Sequence, residues 1–450
     1  MRKNHSERKL LFSGITLFFF MIFTFVSFPL FIACDSDSPE EEDDNSKKDK
    51  DKNNEDKGDD DAGTDTDTDT DTDTDSDTDA DTDTDTDADA DTIVDGCEGQ
   101  KLRKNPVDLG KPGPWPVGCL TTNIVQDFTT EVWYPAVPGS EAGKEKHAYD
   151  IREHIKNPGV ISDEENPLQH CDCYRDLPLD TEAGPYPVVA LVHGTAGFRT
   201  QDLEQCVHWA SRGFVVVSSD HPGICFKDLL QNPAGAVTAN QARDVRQVFL
   251  AMNAPTGDIA FLEGHIDMSK KGAMGHSAGA GAISKLGDIC LVLIPHAGTA
   301  SPPSPEAESA LFTRGNEDSI GTGAPGAYAS APAVKRLLTI DRGEHLVGTS
   351  MCVLRDPNDP TRDLLDFIQE KNIGGVAISS MAAGLFKGCN EHIDDDEPYI
   401  NVFTGIDILN YGSAGVLEET LHCSETAADQ LRKIKDEFGD DVAVYQETLQ

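Results

Sequence analysis

From Cys97 onward, uninterrupted apolar runs alternate with segments whose apolar positions recur every three or four residues. "PYPVVALVHGTAG" (185–197) carries a continuous run from Val188 to Val192, and "FVVVSSDHPG" carries another. Such runs, short and rich in β-branched residues, suit strands buried on both faces rather than strands with one wet side. Between them, "DLEQCVHWASRG" (202–213) places Leu203, Cys206, Val207 and Ala210 on one helical face, and Gly213 stops it. "ANQARDVRQVFLAMN" (239–253) does the same with Val245, Val248, Phe249 and Met252. Three further short apolar strands follow in "CLVLIPHAG", "ALFTRGNEDS" and "VKRLLTIDRGEH", while "TTEVWYPAV" (129–137) supplies a β-rich run ahead of the series. The alternation predicts an α/β domain with a doubly wound, mostly parallel sheet. In such sheets ligands bind at the carboxyl ends of the strands.

The pattern is absent from the first 96 residues. Residues 35–96 carry a net charge of −24, more than half of the chain's −43, with almost no apolar side chains. The segment passes into a period-2 repeat of Asp with Thr, Ala or Ser. Asp is a poor strand former and like charges would face one another, so an extended, disordered acidic linker is expected. The repeat lacks the glycine and glutamate that an EF-hand loop requires. Residues 97–450, at −22, read as an ordinary acidic globular domain, and the acidity argues against nucleic acid as a partner.

Before the linker, a basic "MRKNHSERK" precedes a 24-residue uncharged run from Leu10 to Ala33, and Cys34 follows. Cys34 directly after Ala33 resembles the lipobox of bacterial lipoproteins, although Phe31 stands where Leu is usual and the run is long for a signal peptide. The resemblance implies a signal peptide over 1–34 and a lipid on Cys34. That lipid would anchor the protein to a membrane of the cell envelope, facing the periplasm or the outside. An uncleaved anchor and simple secretion are the alternatives. All three place the globular part outside the cytoplasm, where the ten remaining cysteines should form several disulfides of undetermined connectivity. No CxxC occurs, and "CDCY" lacks a second half, so no metal site is expected.

The candidate chemistry centres on "KGAMGHSAGAGA" (271–282). Gly275-His276-Ser277-Ala278-Gly279 matches G-x-S-x-G between a strand and a helix, the context in which a serine is held as a nucleophile on a sharp turn. Serine needs a base and a group to orient that base. Asp318 lies just past the "ALFTRG" strand and His345 past "RLLTIDRG", in the order serine, acid, histidine. Glu317 and Asp341 compete for the acid, and His296 and His276 are rival histidines. Thr195, after the strand ending at His193-Gly194, and Ala278 are the candidate backbone donors to an oxyanion.

Taken together, "EVWYPA", "PVVALVHGTAGFRTQDLEQCVHWASRGFVVVSSDHPG" and "LEGHIDMSKKGAMGHSAGA", with the later acid and histidine, resemble the α/β-hydrolase superfamily. More narrowly they are similar to the group of platelet-activating-factor acetylhydrolases, cutinase-like polyester hydrolases and chlorophyllases. The similarity spans about 127–350. It implies an α/β-hydrolase fold and a serine carboxylic-ester hydrolase acting through an acyl-enzyme. Ser277 would be the nucleophile, Asp318 the acid, His345 the base, and Thr195 and Ala278 the oxyanion donors. No cofactor is implied, and the partner would be a small-molecule, lipid or polymer ester. A non-catalytic surface binding protein on the same fold, and thioesterase or peptidase activity, are the competing readings. The chain departs from the pattern at Ala280, where many members of the group carry a second glycine, in an insertion at about 138–184, and in an extension at about 352–450.

Overall fold

The computed structural model describes residues 92–450 apart from 127, 299–305, 333 and, between 376 and 397, all but 383 and 389. Cys34, the apolar run before it and the Asp/Thr repeat lie outside the described residues. Ile93–Asp95, at the end of the stretch expected to lack structure, instead pairs antiparallel with Lys101–Arg103.

The centre is a ten-stranded sheet. In chain order its strands are β1 (Val117–Thr122), β2 (Thr130–Pro135), β3 (Tyr174–Arg175), β4 (Tyr186–Val192), β5 (Val215–Ser219), β6 (Ile266–His276), β7 (Val292–His296), β8 (Ser309–Gly315), β9 (Lys335–Ile340) and β10 (Val442–Thr448). Across the sheet they run β10-β9-β8-β7-β6-β4-β5-β2-β1-β3. The stretch β5-β4-β6-β7-β8-β9 is parallel throughout, while β2 and β10 pair antiparallel to their neighbours. The sheet is therefore mostly parallel, as the uninterrupted apolar runs predict.

Both faces of the parallel strands are dry. Because successive side chains alternate across the pleat, Val189 and Leu191 of β4 join one core with Val216, Met274 and Ile294. Val188, Ala190 and Val192 join the other with Val215, Ala273 and Leu293. Helices α1 (Leu203–Ser211), through Trp209, and the long α6 (Val402–Leu421) cover the first face. Helices α2 (Gln241–Met252), through Val245, Val248 and Phe249, and α3 (Ala278–Ile283) cover the second. Two shorter helices complete the numbering, α4 (Ala324–Ser330) against β8 and β9 and α5 (Leu364–Glu370) in the C-terminal region. Both helices predicted from periodicity form, within two residues of the expected ends.

The C-terminal hundred residues are more than an appendage. α6 lies so close to the sheet that a Cβ on Gly412 would meet Leu338 at 2.8 Å, and β10 extends the sheet beyond β9. Three disulfides join Cys97 to Cys423, Cys171 to Cys173 and Cys352 to Cys389. Cys119, Cys206, Cys225 and Cys290 are buried and unpaired, so only six of the ten cysteines carry the expected cross-links. Among the described residues no helix is long and apolar enough to cross a membrane.

Candidate active site

The parallel strands end on one edge, and the candidate residues emerge there. β6 terminates at His276 and α3 begins at Ala278, leaving Ser277 alone on the turn with φ 54° and ψ −114°. A non-glycine residue so placed carries strain of about 1–3 kcal/mol, which the surrounding packing must hold. The two flanking glycines explain how. A Cβ on Gly275 would sit 2.3 Å from the carbonyl oxygen of Gly279, and one on Gly279 would sit 2.1 Å from that of Val192. The elbow can close only with bare backbone at both positions. The methyl of Ala280 is accommodated by Gly298, whose own Cβ would meet it at 2.5 Å.

Ser277 Oγ lies 3.0 Å from His345 Nε2. On the other side of the ring, His345 Nδ1 lies 3.1 Å from each carboxylate oxygen of Asp318. A carboxylate only accepts, so Nδ1 carries the hydrogen and Nε2 presents a lone pair to the serine hydroxyl. Asp318 is buried, and burial pushes its carboxyl up. The bond and charge of His345, with the Gly321 and Ile320 N–H donors at 2.8 Å, outweigh burial and hold it down at about 2. The ion pair partner is therefore charged at neutral pH.

The rivals fall elsewhere. Glu317 is exposed, and Asp341 accepts from Asn316 at 2.7 Å and lies beside Arg342. His276 and His296 are buried with their rings turned to backbone carbonyls.

The strand β4 runs into the turn 193–198 beside Ser277. A Cβ on Gly194 would come within 3.0 Å of both Ser277 Cβ and His276 Nδ1. The N–H groups of Thr195 and Ala278 have no acceptor among the described residues, the second because it opens a helix. Thr195, Ser277 and Ala278 are all partly exposed, while Gly194, Ala196 and Gly279 beside them are buried.

What holds the 193–198 turn was not visible in the sequence. Gln241 Nε2 donates to the His193 carbonyl at 2.7 Å, the Gly194 N–H donates to Gln201 Oε1 at 3.3 Å, and the Ala196 N–H donates to Ile224 O at 3.0 Å. Arg199, just past the turn, is fully buried and donates to Asp220 at 2.9 Å and to Glu153 at 2.5 Å. Glu153 belongs to the 138–184 insertion, and the neighbouring His154 stacks on Phe198 at 4.2 Å. Ile151 and Ile155 of that insertion meet Ala196, Phe198, Leu346 and the extension's Phe367 in one apolar cluster. Insertion and extension thus pack together against the two loops that frame Ser277. No signal in a single sequence marks such contacts, since each is made by an ordinary polar or apolar residue far away in the chain.

The six-stranded parallel stretch, flanked by antiparallel β2 and β10, with Ser277 on the turn that follows the central strand β6, decides the fold. The chain has the α/β-hydrolase fold. Residues 152–228, which contain the 193–198 turn but not Ser277, match the family of platelet-activating factor acetylhydrolase, isoform II. Among solved structures, the chain is similar to a ferulic acid esterase from Streptomyces cinnamoneus, at 16% identity and a TM-score of 0.46, over 68% of this chain and 90% of that one. No curated protein matches the chain.

Proposed function

We propose that the protein is a serine carboxylic-ester hydrolase, held outside the cytoplasm by a lipid on Cys34. The observation that carries the reading is the unbroken chain from Ser277 Oγ through His345 to Asp318, at 3.0 and 3.1 Å. His345 Nε2 takes the hydroxyl proton as Oγ attacks the ester carbonyl. Asp318, charged and fixed by two backbone donors, stabilises the imidazolium and keeps its tautomer. The anionic oxygen of the tetrahedral intermediate is received by the Thr195 and Ala278 N–H groups, each removable donor being worth about 3 kcal/mol in the transition state. The alcohol leaves with the proton returned by His345. Water then repeats the sequence on the acyl-enzyme, and no cofactor enters. The substrate is a small-molecule, lipid or polymer ester that reaches Ser277 past the walls formed by the insertion and the extension.

The test is labelling with a fluorophosphonate and turnover of p-nitrophenyl acetate. The wild-type protein should label once, at Ser277, and turn over the ester. Ser277→Ala should lose both while unfolding at the same temperature. A fully active Ser277→Ala variant would sink the assignment.

A further inference from the structure

We infer that His276 and His296 are positioning residues, neutral imidazoles that hold the backbone of the loop carrying His345. The two stand opposite each other at the ends of β6 and β7, as registered partners in the parallel ladder. Both rings are buried. His276 Nε2 lies 2.9 Å from the carbonyl oxygen of His345, and His296 Nε2 lies 2.8 Å from that of Val347. A carbonyl oxygen can only accept, so both Nε2 atoms must carry hydrogen. His296 Nδ1 then takes the hydroxyl hydrogen of Thr313 at 2.7 Å, while His276 Nδ1 has no partner. Burial, and then the neighbouring imidazoles, push His276 well below its ordinary range, and burial pushes His296 down to about 4. Both are uncharged at neutral pH and donate through one fixed tautomer.

The geometry explains why histidine stands at these positions. Beyond the end of β9, the residues 344–349 form two tight turns, with the Val347 N–H donating to Glu344 O and the Thr349 N–H to Leu346 O. Those bonds stiffen the loop internally without fixing it to the sheet edge. The carbonyls of 345 and 347 point back toward the strand ends, where a rigid ring can reach across from β6 and β7. The ring centres of His276 and His345 are 4.9 Å apart, so the elbow's variable residue packs beside the base. His276 and His296 thus tie the loop to the strand ends, alongside Gln205 Nε2, which donates to the Gly348 carbonyl at 2.9 Å. A shift of about 1 Å in such an alignment costs on the order of 100-fold in rate.

This inference rests on the acyl-enzyme reading, and the experiment separates the two. His276→Leu, His276→Gln, His296→Leu and His296→Gln are titrated with a fluorophosphonate to count competent sites. kcat and KM for p-nitrophenyl acetate are then measured per titrated site. The leucine variants should keep their titratable sites yet lose about 10- to 100-fold in kcat per site, because the base is displaced rather than removed. KM should stay within about twofold, since no substrate contact is lost. Glutamine, whose amide N–H reaches about as far as Nε2–H, should recover most of the loss. Leucine variants with wild-type kcat per site, or glutamine variants as slow as leucine, would overturn the positioning role. Should a leucine variant fail to fold, its glutamine counterpart decides: retained kcat supports the role and lost kcat defeats it. A wild-type protein that does not react with the probe would instead defeat the acyl-enzyme reading.

Discussion

At the scale of single residues, the chemistry is set by which atoms can donate and which can only accept. Asp318 Oδ1 accepts from the Ile320 and Gly321 N–H groups, and this anchors one end of the carboxylate. In Asp318→Asn those donors would keep the amide oxygen, so the NH2 group would face His345 Nδ1. The ring would then have to accept at Nδ1 and carry its hydrogen on Nε2, where it could no longer take the serine proton. The expected result is a fall in kcat of about 10,000-fold with folding intact, because the tautomer is wrong rather than the geometry. Rates measured alongside circular dichroism check it, and an Asn variant within tenfold of wild type would contradict the assignment of the acid. The elbow was legible in the sequence because its glycines are imposed by backbone contacts of 2.1–2.3 Å, which no other residue survives. The ordering of acid and histidine was legible because strand ends bracket them. Gln201, Gln241 and Arg199 were not, since a buried amide or guanidinium has the same letter as an exposed one.

Elements tell a similar story at larger spacing. The strands β4, β5 and β7 announce themselves as apolar runs because both faces are covered, and α1 and α2 because each shows one apolar stripe. α6 hides for the opposite reason. It is buried on nearly every side, so "VFTGIDILNYGSAGVLEETL" shows little amphipathic contrast, and its glycines look like breakers although they admit Leu338 and Leu109. β10 is an edge strand of mixed character with no turn signal to pair it with β9. What ties these late elements to the start of the domain is covalent. Cys97, in the turn between Ile93–Asp95 and Lys101–Arg103, is bonded to Cys423, just past the end of α6, across 326 residues of sequence. Closing so long a loop restricts the unfolded chain severely, by up to about 5 kcal/mol in the chain-entropy view. Cys97→Ser combined with Cys423→Ser should therefore lower the unfolding temperature by several degrees, with kcat of the folded protein unchanged because neither residue approaches Ser277. Thermal scans of the double variant would refute this if its transition coincided with that of wild type.

For the whole molecule, the number of buried neutral histidines governs how stability responds to acid. His154, His193, His208, His276, His296 and His422 are all buried, and burial pushes each below 6.5, to about 4 or about 3 for the five other than His276, which lies well below its ordinary range. In the unfolded chain all six titrate near 6.5. Stability linked to these groups is therefore complete above about pH 6.5 and is lost as the pH falls toward their folded values, since the unfolded state then binds protons that the folded state refuses. Five acids oppose them. Burial raises Asp202 to about 7 and raises Glu131, Glu204, Asp363 and Asp407 as well, so the folded protein takes up protons there that the unfolded chain does not. Asp318, held at about 2, stays ionised throughout and adds no slope in this range. Six histidines against five acids leave the histidines dominant, and each unbalanced proton is worth about 1.4 kcal/mol per pH unit. The unfolding temperature should drop steadily between pH 7 and pH 5 and level off above pH 7. Replacing His422, which stacks on Phe214 at 4.1 Å far from Ser277, with Gln should flatten that decline. A temperature of unfolding that stays level or climbs on acidification would mean that these rings are hydrated in the folded state and that the core around them opens more readily than its packing implies.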